Sequence, residues 1–286
     1  MTAKTYYELA KPGIVYGNIM TAAAGFLLAA RHHVDLWLLL ATLLGTSCII
    51  GSACVFNNYI DRDIDKKMAR TRKRSLANGL VSSRSALIYA VLLGCIGLVI
   101  LALFVNWLVV AIGAIGFIDY VVLYGISKRR SVHGTLVGSV SGAMPIVAGY
   151  VAVTDRLDGG ALILFLIMAL WQMPHFYAIA IYRLKDYASA GLPVLPVKEG
   201  VARTKMAMLY YIVAFIAATV ALATYGYAGS AYLVVMALLG ITWLGLCMKG
   251  FNRQVDERSW AREMFFFSLI VVTGLSAMLA LNALLA

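Results

Sequence analysis

Nine runs of 17 to 22 mostly apolar residues divide this chain, at roughly 14–30, 37–57, 86–105, 108–126, 134–153, 160–180, 206–224, 229–248 and 264–285. A helix needs about 20 such residues to cross the hydrocarbon core of a bilayer. In that core every backbone polar group must be satisfied within its own segment. The runs therefore predict an all-α, polytopic membrane protein, a single membrane domain over 1–286 built from nine transmembrane helices. With 62% of residues hydrophobic and 13% charged, too few polar side chains exist to cover a soluble fold.

The charged residues give the orientation. Lys and Arg number 24 against 13 Asp and Glu, a surplus that in a soluble protein suggests nucleic acid. Here it lies in connections rather than on a groove-reading helix, so no nucleic-acid partner is expected. Numbering the connections alternately, 22 basic residues fall on the side of the amino terminus and only Arg31 and Arg156 on the other. The bias of Lys and Arg toward the cytoplasm places the amino terminus inside and the carboxyl terminus outside. The expected location is the inner (cytoplasmic) membrane, multi-pass. The long inside connections, at about 58–85 and 181–205, are read as caps over a cytoplasmic-facing site. Cys48, Cys54, Cys95 and Cys247 all sit inside apolar runs without a CxxC pair, which argues against zinc, haem attachment or disulfides. No small-residue cleavage site marks the first run as a signal peptide.

The second run ends in Asn57-Asn58-Tyr59-Ile60-Asp61-Arg62-Asp63-Ile64-Asp65. Asn57, Asp61 and Asp65 stand at i, i+4 and i+8, one turn apart on one helical face. Oxygen donors without His or Cys suit a hard cation such as Mg²⁺, which fills its other positions with water and phosphate oxygens. The plainer alternative is a solvated helix end whose acids pair with Arg62, Lys66 and Lys67. Against it, acids at a helix carboxyl end oppose the macrodipole. Downstream, Arg70, Arg72, Lys73 and Arg74 supply donors for a diphosphate and also serve the inside bias.

A second cluster follows the sixth run. Pro174 removes a backbone donor and is expected to kink the helix; His175 lies at membrane depth, a functional candidate or a buried neutral imidazole. Asp186 with Arg183 and Lys185 repeats the pairing of acid and base. Two acidic patches at one face would hold one diphosphate through metal. Asp119 in the fourth run has either a functional role or a neighbouring span as partner. Gly134, Gly138 and Gly142 read as close helix packing or as a groove for a flat ligand. Lys11-Pro12-Gly13 breaks the chain before the first run, and neither it nor Asn18 receives a role from spacing. His32, His33 and His133 lie in loops without ligand geometry.

The first signature, continued by Arg70-Thr71-Arg72, resembles that of the intramembrane prenyltransferase superfamily typified by UbiA. Asn58, where the wider superfamily has Asp, is similar to the branch that farnesylates haem. So are Trp171-Gln172-Met173-Pro174-His175, Asp186-Tyr187 with Leu192-Pro193-Val194-Leu195-Pro196, and Lys128-Arg129-Arg130 ahead of Gly134-Thr135-Leu136. The likeness spans nearly the whole chain. It departs in the second motif, where Tyr182 stands in place of an acid found in many relatives.

The resemblance implies a nine-helix bundle around a central cavity open to the lipid, with farnesyl diphosphate as donor and haem B as acceptor substrate. It implies Asn57, Asp61, Asp65 and Asp186 as metal ligands for Mg²⁺. Lys66, Arg70, Arg74, Lys128, Arg183, Lys185, Tyr182 and Asn58 would contact substrate, and His175 would either ligate haem iron or orient water. The product would feed a terminal oxidase or a haem A synthase downstream. Three rivals stand beside this: a prenyltransferase for another aromatic acceptor, a transporter, and a non-catalytic haem-handling protein. A transporter wants acids near the bilayer midplane, where only Asp119 fits; a haem carrier leaves both acidic patches idle.

Overall fold

The computed structural model describes residues 3–68 and 70–285, with side chains described to 282. Among the described residues it is helical throughout, with no strand. Among the described residues nine helices are long and apolar enough to cross a membrane. In chain order they are α2 (Pro12–Ala30), α3 (Leu36–Ile60), α5 (Ser83–Phe104), a composite fourth, α8 (Gly134–Thr154), α9 (Gly159–Tyr182), α12 (Gly200–Thr224), α13 (Ser230–Lys249) and α14 (Glu257–Leu285). The composite span is α6 (Trp107–Ile118), a π-helical turn (Asp119–Leu123) and α7 (Tyr124–Arg130). Short helices α1 (Ala3–Leu9), α4 (Arg62–Lys67), α10 (Leu184–Ser189) and α11 (Leu195–Lys198) lie outside the spans.

Eight of the nine expected runs are single helices and the fourth is the composite span; several helices extend beyond their runs. α14 starts at Glu257 rather than 264, and α12 at Gly200 rather than 206. The added turns carry Arg258, Arg262, Arg203 and Lys205, which the apolar runs exclude and which reach water or partners past the hydrocarbon boundary. Lys205 is buried, its ammonium 2.9 Å from Glu257 and 5.3 Å from the Trp260 ring centre, so these turns fasten α12 to α14. α9 stays helical across Pro174.

α8 is central, packed on α2, α9, α6 and α3, while α9 also packs on α12 and α14. The outward faces carry large apolar side chains such as Leu92, Leu103, Ile115, Leu238 and Ile241, all more than half exposed. Apolar faces of that extent suit a lipid surface rather than water. Asn106 and Asp158 cap α6 and α9 by accepting backbone N–H bonds at 2.9 and 3.1 Å. A separate apolar cluster joins Leu9 of α1, Val55, Leu76, Val81, Ala86 and Ala90. It pins the 70–82 connection onto the ends of α3 and α5, fixing where Arg74 emerges.

The glycine stripe serves packing. A Cβ at Gly134 would lie 2.7 Å from Lys128 Cα, one at Gly138 2.8 Å from the Tyr124 ring, and one at Gly142 1.9 Å from Gln172 Oε1. α7 and α9 thereby close directly on α8. Asp119, at the start of the π-turn, is buried and accepts the Ser141 N–H of α8 at 3.0 Å. A partner on a neighbouring span is what the structure gives it.

Candidate active site

The acidic stripe survives the end of α3. The backbone bends at Asp61, yet Asp61 N–H donates to the Asn57 carbonyl at 2.9 Å and Asp65 N–H to the Asp61 carbonyl at 2.8 Å. Asn57, Asp61 and Asp65 therefore still stack one turn apart, and all are buried. Asp63 and Asp65 fall in the first turn of α4, where negative charge suits the helix dipole. Only Asp61, at the end of α3, sits against it.

Buried carboxylates require positive partners, and the fold delivers them from three segments. Lys128 of α7 donates to Asp61 Oδ2, while Arg129 reaches Asp61 at 3.4 Å and Asp63 at 2.9 Å. Arg74 approaches both Asp65 oxygens, at 3.0 and 2.9 Å, and Asn58 Oδ1 at 3.5 Å. Lys11, just before α2, donates to Asn57 Oδ1 at 2.9 Å. Burial pulls the Lys11 ammonium down to about 8, so it still carries most of its charge at neutral pH. Arg129 holds the exposed Asp63 down to about 2, which keeps that carboxylate ionised and turned outward.

Asn58 holds the amino-terminal helix over this cluster, its amide donating to the Leu9 carbonyl at 2.9 Å. Asn58→Asp replaces that donor with a second acceptor facing the carbonyl. The expected result is a loss of about 1–3 kcal/mol, read as a lower midpoint of thermal unfolding in detergent.

Tyr187 lies within electrostatic reach of both clusters. Burial pushes its hydroxyl above the ordinary value, and the charges acting on it include Arg70 and Arg74 from one connection and Asp186 and Arg183 from the other. The two connections thus share one rim. Asp186 itself is half-buried and lies 4.0 Å from Arg183. Among the described residues no three of His, Cys, Asp and Glu gather as one metal-binding group. Asp61 faces Lys128 and Arg129, Asp65 faces Arg74, and Asp186 faces Arg183.

The remaining candidates divide. Lys66, Arg70 and Lys185 are exposed. Tyr182 lies between the Arg183 and Arg258 guanidiniums, at 4.6 and 5.5 Å from its ring centre, and so faces α14. His175 is buried against α14, its Nδ1 2.7 Å from Ser268 Oγ, and its neighbours are aromatic rather than charged. Asn18 bonds its own helix at Ile14.

Sequence reasoning left Lys11 with a role near the site only as a possibility, gave Arg129 no role of its own, and overlooked the aromatic wall. Tyr120 and Tyr124 stack at 5.6 Å and 24°, and Lys128 Nζ lies 4.9 Å from the Tyr124 ring centre. Tyr120, Tyr124 and Lys128 repeat the i, i+4, i+8 spacing of the acids, a signal that identifies this wall. A groove of about 410 Å³ opens beside it, lined by Ile60, Val121, Val122, Ile126, Arg129 and Arg130.

In charge terms the cluster holds two buried carboxylates against Lys11, Arg74, Lys128 and Arg129. Such an excess of donors accepts a polyanion, and among the described residues the buried Asn57 Nδ2 has no partner of its own. The donors of Asn57, Asp61 and Asp65 are all oxygen and fit Mg²⁺, each being held now by a cation whose charge a divalent ion would replace.

Comparison with known proteins agrees. The UbiA prenyltransferase family profile matches residues 18–270. A relative named protoheme IX farnesyltransferase, from Sodalis glossinidius (strain morsitans), is 50% identical over 283 residues, 99% of this chain and 95% of that protein. A solved digeranylgeranylglyceryl phosphate synthase structure superposes with a TM-score of 0.81 at 20% identity, covering 99% of both chains. A UbiA homologue from Archaeoglobus fulgidus, bound to GPP and Mg²⁺, superposes with a TM-score of 0.68 at 14% identity, covering 96% of this chain and 99% of that one. Over most of its length, this multi-pass membrane protein belongs to the UbiA prenyltransferase family.

Proposed function

We propose that the chain transfers a farnesyl group from farnesyl diphosphate to a vinyl group of haem B, with addition of water, giving haem O. The observation that carries this reading is the buried, cation-rich cluster of Lys11, Arg74, Lys128 and Arg129 around Asp61 and Asp65. The name of the half-identical relative supports the choice of donor and acceptor, and the A. fulgidus homologue's ligands support a metal-assisted diphosphate. The cluster stands at the positive end of the bundle, which supports a cytoplasmic-facing site in the inner membrane and a cytoplasmic amino terminus. A single domain over 1–286, capped by the two long inside connections, follows the same reading, with a terminal oxidase or a haem A synthase as the downstream user.

Ionisation breaks the allylic carbon–oxygen bond and leaves the electron pair on diphosphate. The barrier falls when fixed cations meet that developing charge. Lys11, Arg74 and Lys128 bind and orient the diphosphate, and Arg70 approaches from the rim beside Tyr187. A Mg²⁺ held by Asn57, Asp61 and Asp65, with Asp186 nearby, would supply Lewis-acid neutralisation of the leaving group. Tyr120 and Tyr124 present ring faces beside the cluster, where a cation is stabilised by aromatic electrons and water is scarce. The vinyl π pair forms the new carbon–carbon bond, water oxygen adds to the resulting benzylic-type cation, and one proton leaves to solvent.

The test is purified protein in detergent with farnesyl diphosphate, haem B and Mg²⁺. The expected product is haem B plus a farnesyl group plus a hydroxyl by mass. A chelator is expected to abolish product and added Mg²⁺ to restore it; product that survives chelation overturns the metal-assisted step. Transfer to another aromatic acceptor but not to haem favours the rival prenyltransferase reading.

A further inference from the structure

Ser268 of α14 makes three hydrogen bonds around His175 that together decide which imidazole nitrogen carries the proton. Its hydroxyl lies 2.6 Å from the Phe265 carbonyl, one turn back, and 2.7 Å from His175 Nδ1. Two acceptors cannot sit 2.6 Å apart without a proton between them, and a carbonyl has none to give. The single hydroxyl proton therefore goes to Phe265, and Ser268 Oγ receives its second bond from His175. His175 must then carry its proton on Nδ1, leaving Nε2 with a lone pair.

The same serine fixes the ring's neighbour. Trp171 Nε1–H donates to the Ser268 carbonyl at 2.8 Å. Trp171 and His175, one turn apart on α9, stack at 4.7 Å and 23°. Phe265 and Phe176 close on the imidazole at 5.2 and 5.0 Å. Ser268 is fully buried and His175 is 8% exposed. One residue thus clamps two aromatic rings across the α9–α14 contact, one through its backbone and one through its side chain. Nε2 takes no bond from any described residue, and the side chains around it are aromatic and uncharged.

We infer that Ser268 is a positioning residue for acceptor binding: by taking the Nδ1 proton it presents His175 Nε2 as a ligand to the iron of the metalloporphyrin substrate. The inference rests on the proposed function for the identity of that substrate. It depends on neither the acidic stripe nor Mg²⁺. Metal-bound imidazoles commonly have their other nitrogen held by a hydrogen-bond acceptor, and losing that acceptor weakens metal affinity about 10–100-fold.

Haem B is titrated into the purified full chain without diphosphate donor, reading the Soret band, for wild type, Ser268→Ala, Ser268→Thr and His175→Ala. The expected result is a histidine-ligated spectrum in wild type that is lost in His175→Ala. Ser268→Ala is expected to weaken haem binding about tenfold or more while the KM for farnesyl diphosphate stays unchanged, and Ser268→Thr, which keeps the hydroxyl, to recover most of it. A haem spectrum unchanged in His175→Ala overturns the inference, as does equal loss of haem and donor affinity in Ser268→Ala. If wild type binds haem through His175 yet forms no farnesylated product, the proposed function fails and the ligand assignment stands.

Discussion

Asp61→Asn is expected to lower kcat/KM for farnesyl transfer by about 10²–10³-fold, the cost of removing one preorganised electrostatic partner from a buried site. Asp61 is where Lys128 and Arg129 converge and where the stripe turns from α3 into α4. Amide for carboxylate keeps the shape and discards the charge. Stability falls as well, because breaking a buried ion pair leaves its partner uncompensated, a cost of about 3–5 kcal/mol. The two effects are separable. Combining Asp61→Asn with Lys128→Met removes both charges and is expected to regain thermal stability in detergent without regaining transfer. Asp63→Asn, two residues away and exposed, removes only an outer contact of Arg129 and is expected to change kcat/KM by less than about tenfold. If Asp61→Asn retains transfer per folded molecule, the stripe is a structural ion-pair network and the site lies elsewhere.

That contrast between Asp61 and Asp63 marks how far the sequence could be read. Asn57, Asp61 and Asp65 were legible because their spacing is local, set by the turn of one helix. Arg74 and Lys128 were legible as substrate contacts, but their pairing with particular acids was not, because Lys11 and Lys128 arrive from 46 and 67 residues away. Only close packing of the bundle decides which base meets which acid. His175 was legible as an ionisable residue at membrane depth, but Ser268 is 93 residues distant and resembles any other small polar residue in an apolar run. The spans themselves were plain, since an apolar run of 20 residues has few alternatives in lipid. Their ends were obscured where Arg203, Lys205 and Arg258 continue a helix past the hydrocarbon. There the pairing of Lys205 with Glu257 across two helices, rather than any local signal, sets the boundary.

Gly149→Ala is expected to destabilise the protein by about 3 kcal/mol, the upper part of the range for overpacking, read as a lower melting point by size exclusion after heating. A Cβ at Gly149 would lie 1.9 Å from the Ala22 carbonyl oxygen and 2.9 Å from the Phe26 nitrogen. These are backbone atoms of α2 and cannot rotate aside. The contact is reciprocal, since a Cβ at Gly25 would lie 2.1 Å from the Ile146 carbonyl oxygen of α8. α2 and α8 thus touch backbone to backbone, the arrangement small residues permit where lipid provides no hydrophobic drive. Both substitutions push the same two helices apart, so Gly25→Ala with Gly149→Ala is expected to cost less than the sum of the singles. Gly245→Ala, with nothing within 4 Å of its Cβ, is expected to be neutral or stabilising by up to about 1 kcal/mol through helix propensity alone. The spacing of α2 and α8 also bears on chemistry. Lys11 directly precedes α2, and Lys128 lies against Gly134 at the start of α8. Separating these helices draws the two lysines apart across Asn57 and Asp61. Gly149→Ala protein that remains folded at low temperature is therefore expected to show a raised KM for farnesyl diphosphate, whereas Gly245→Ala is not.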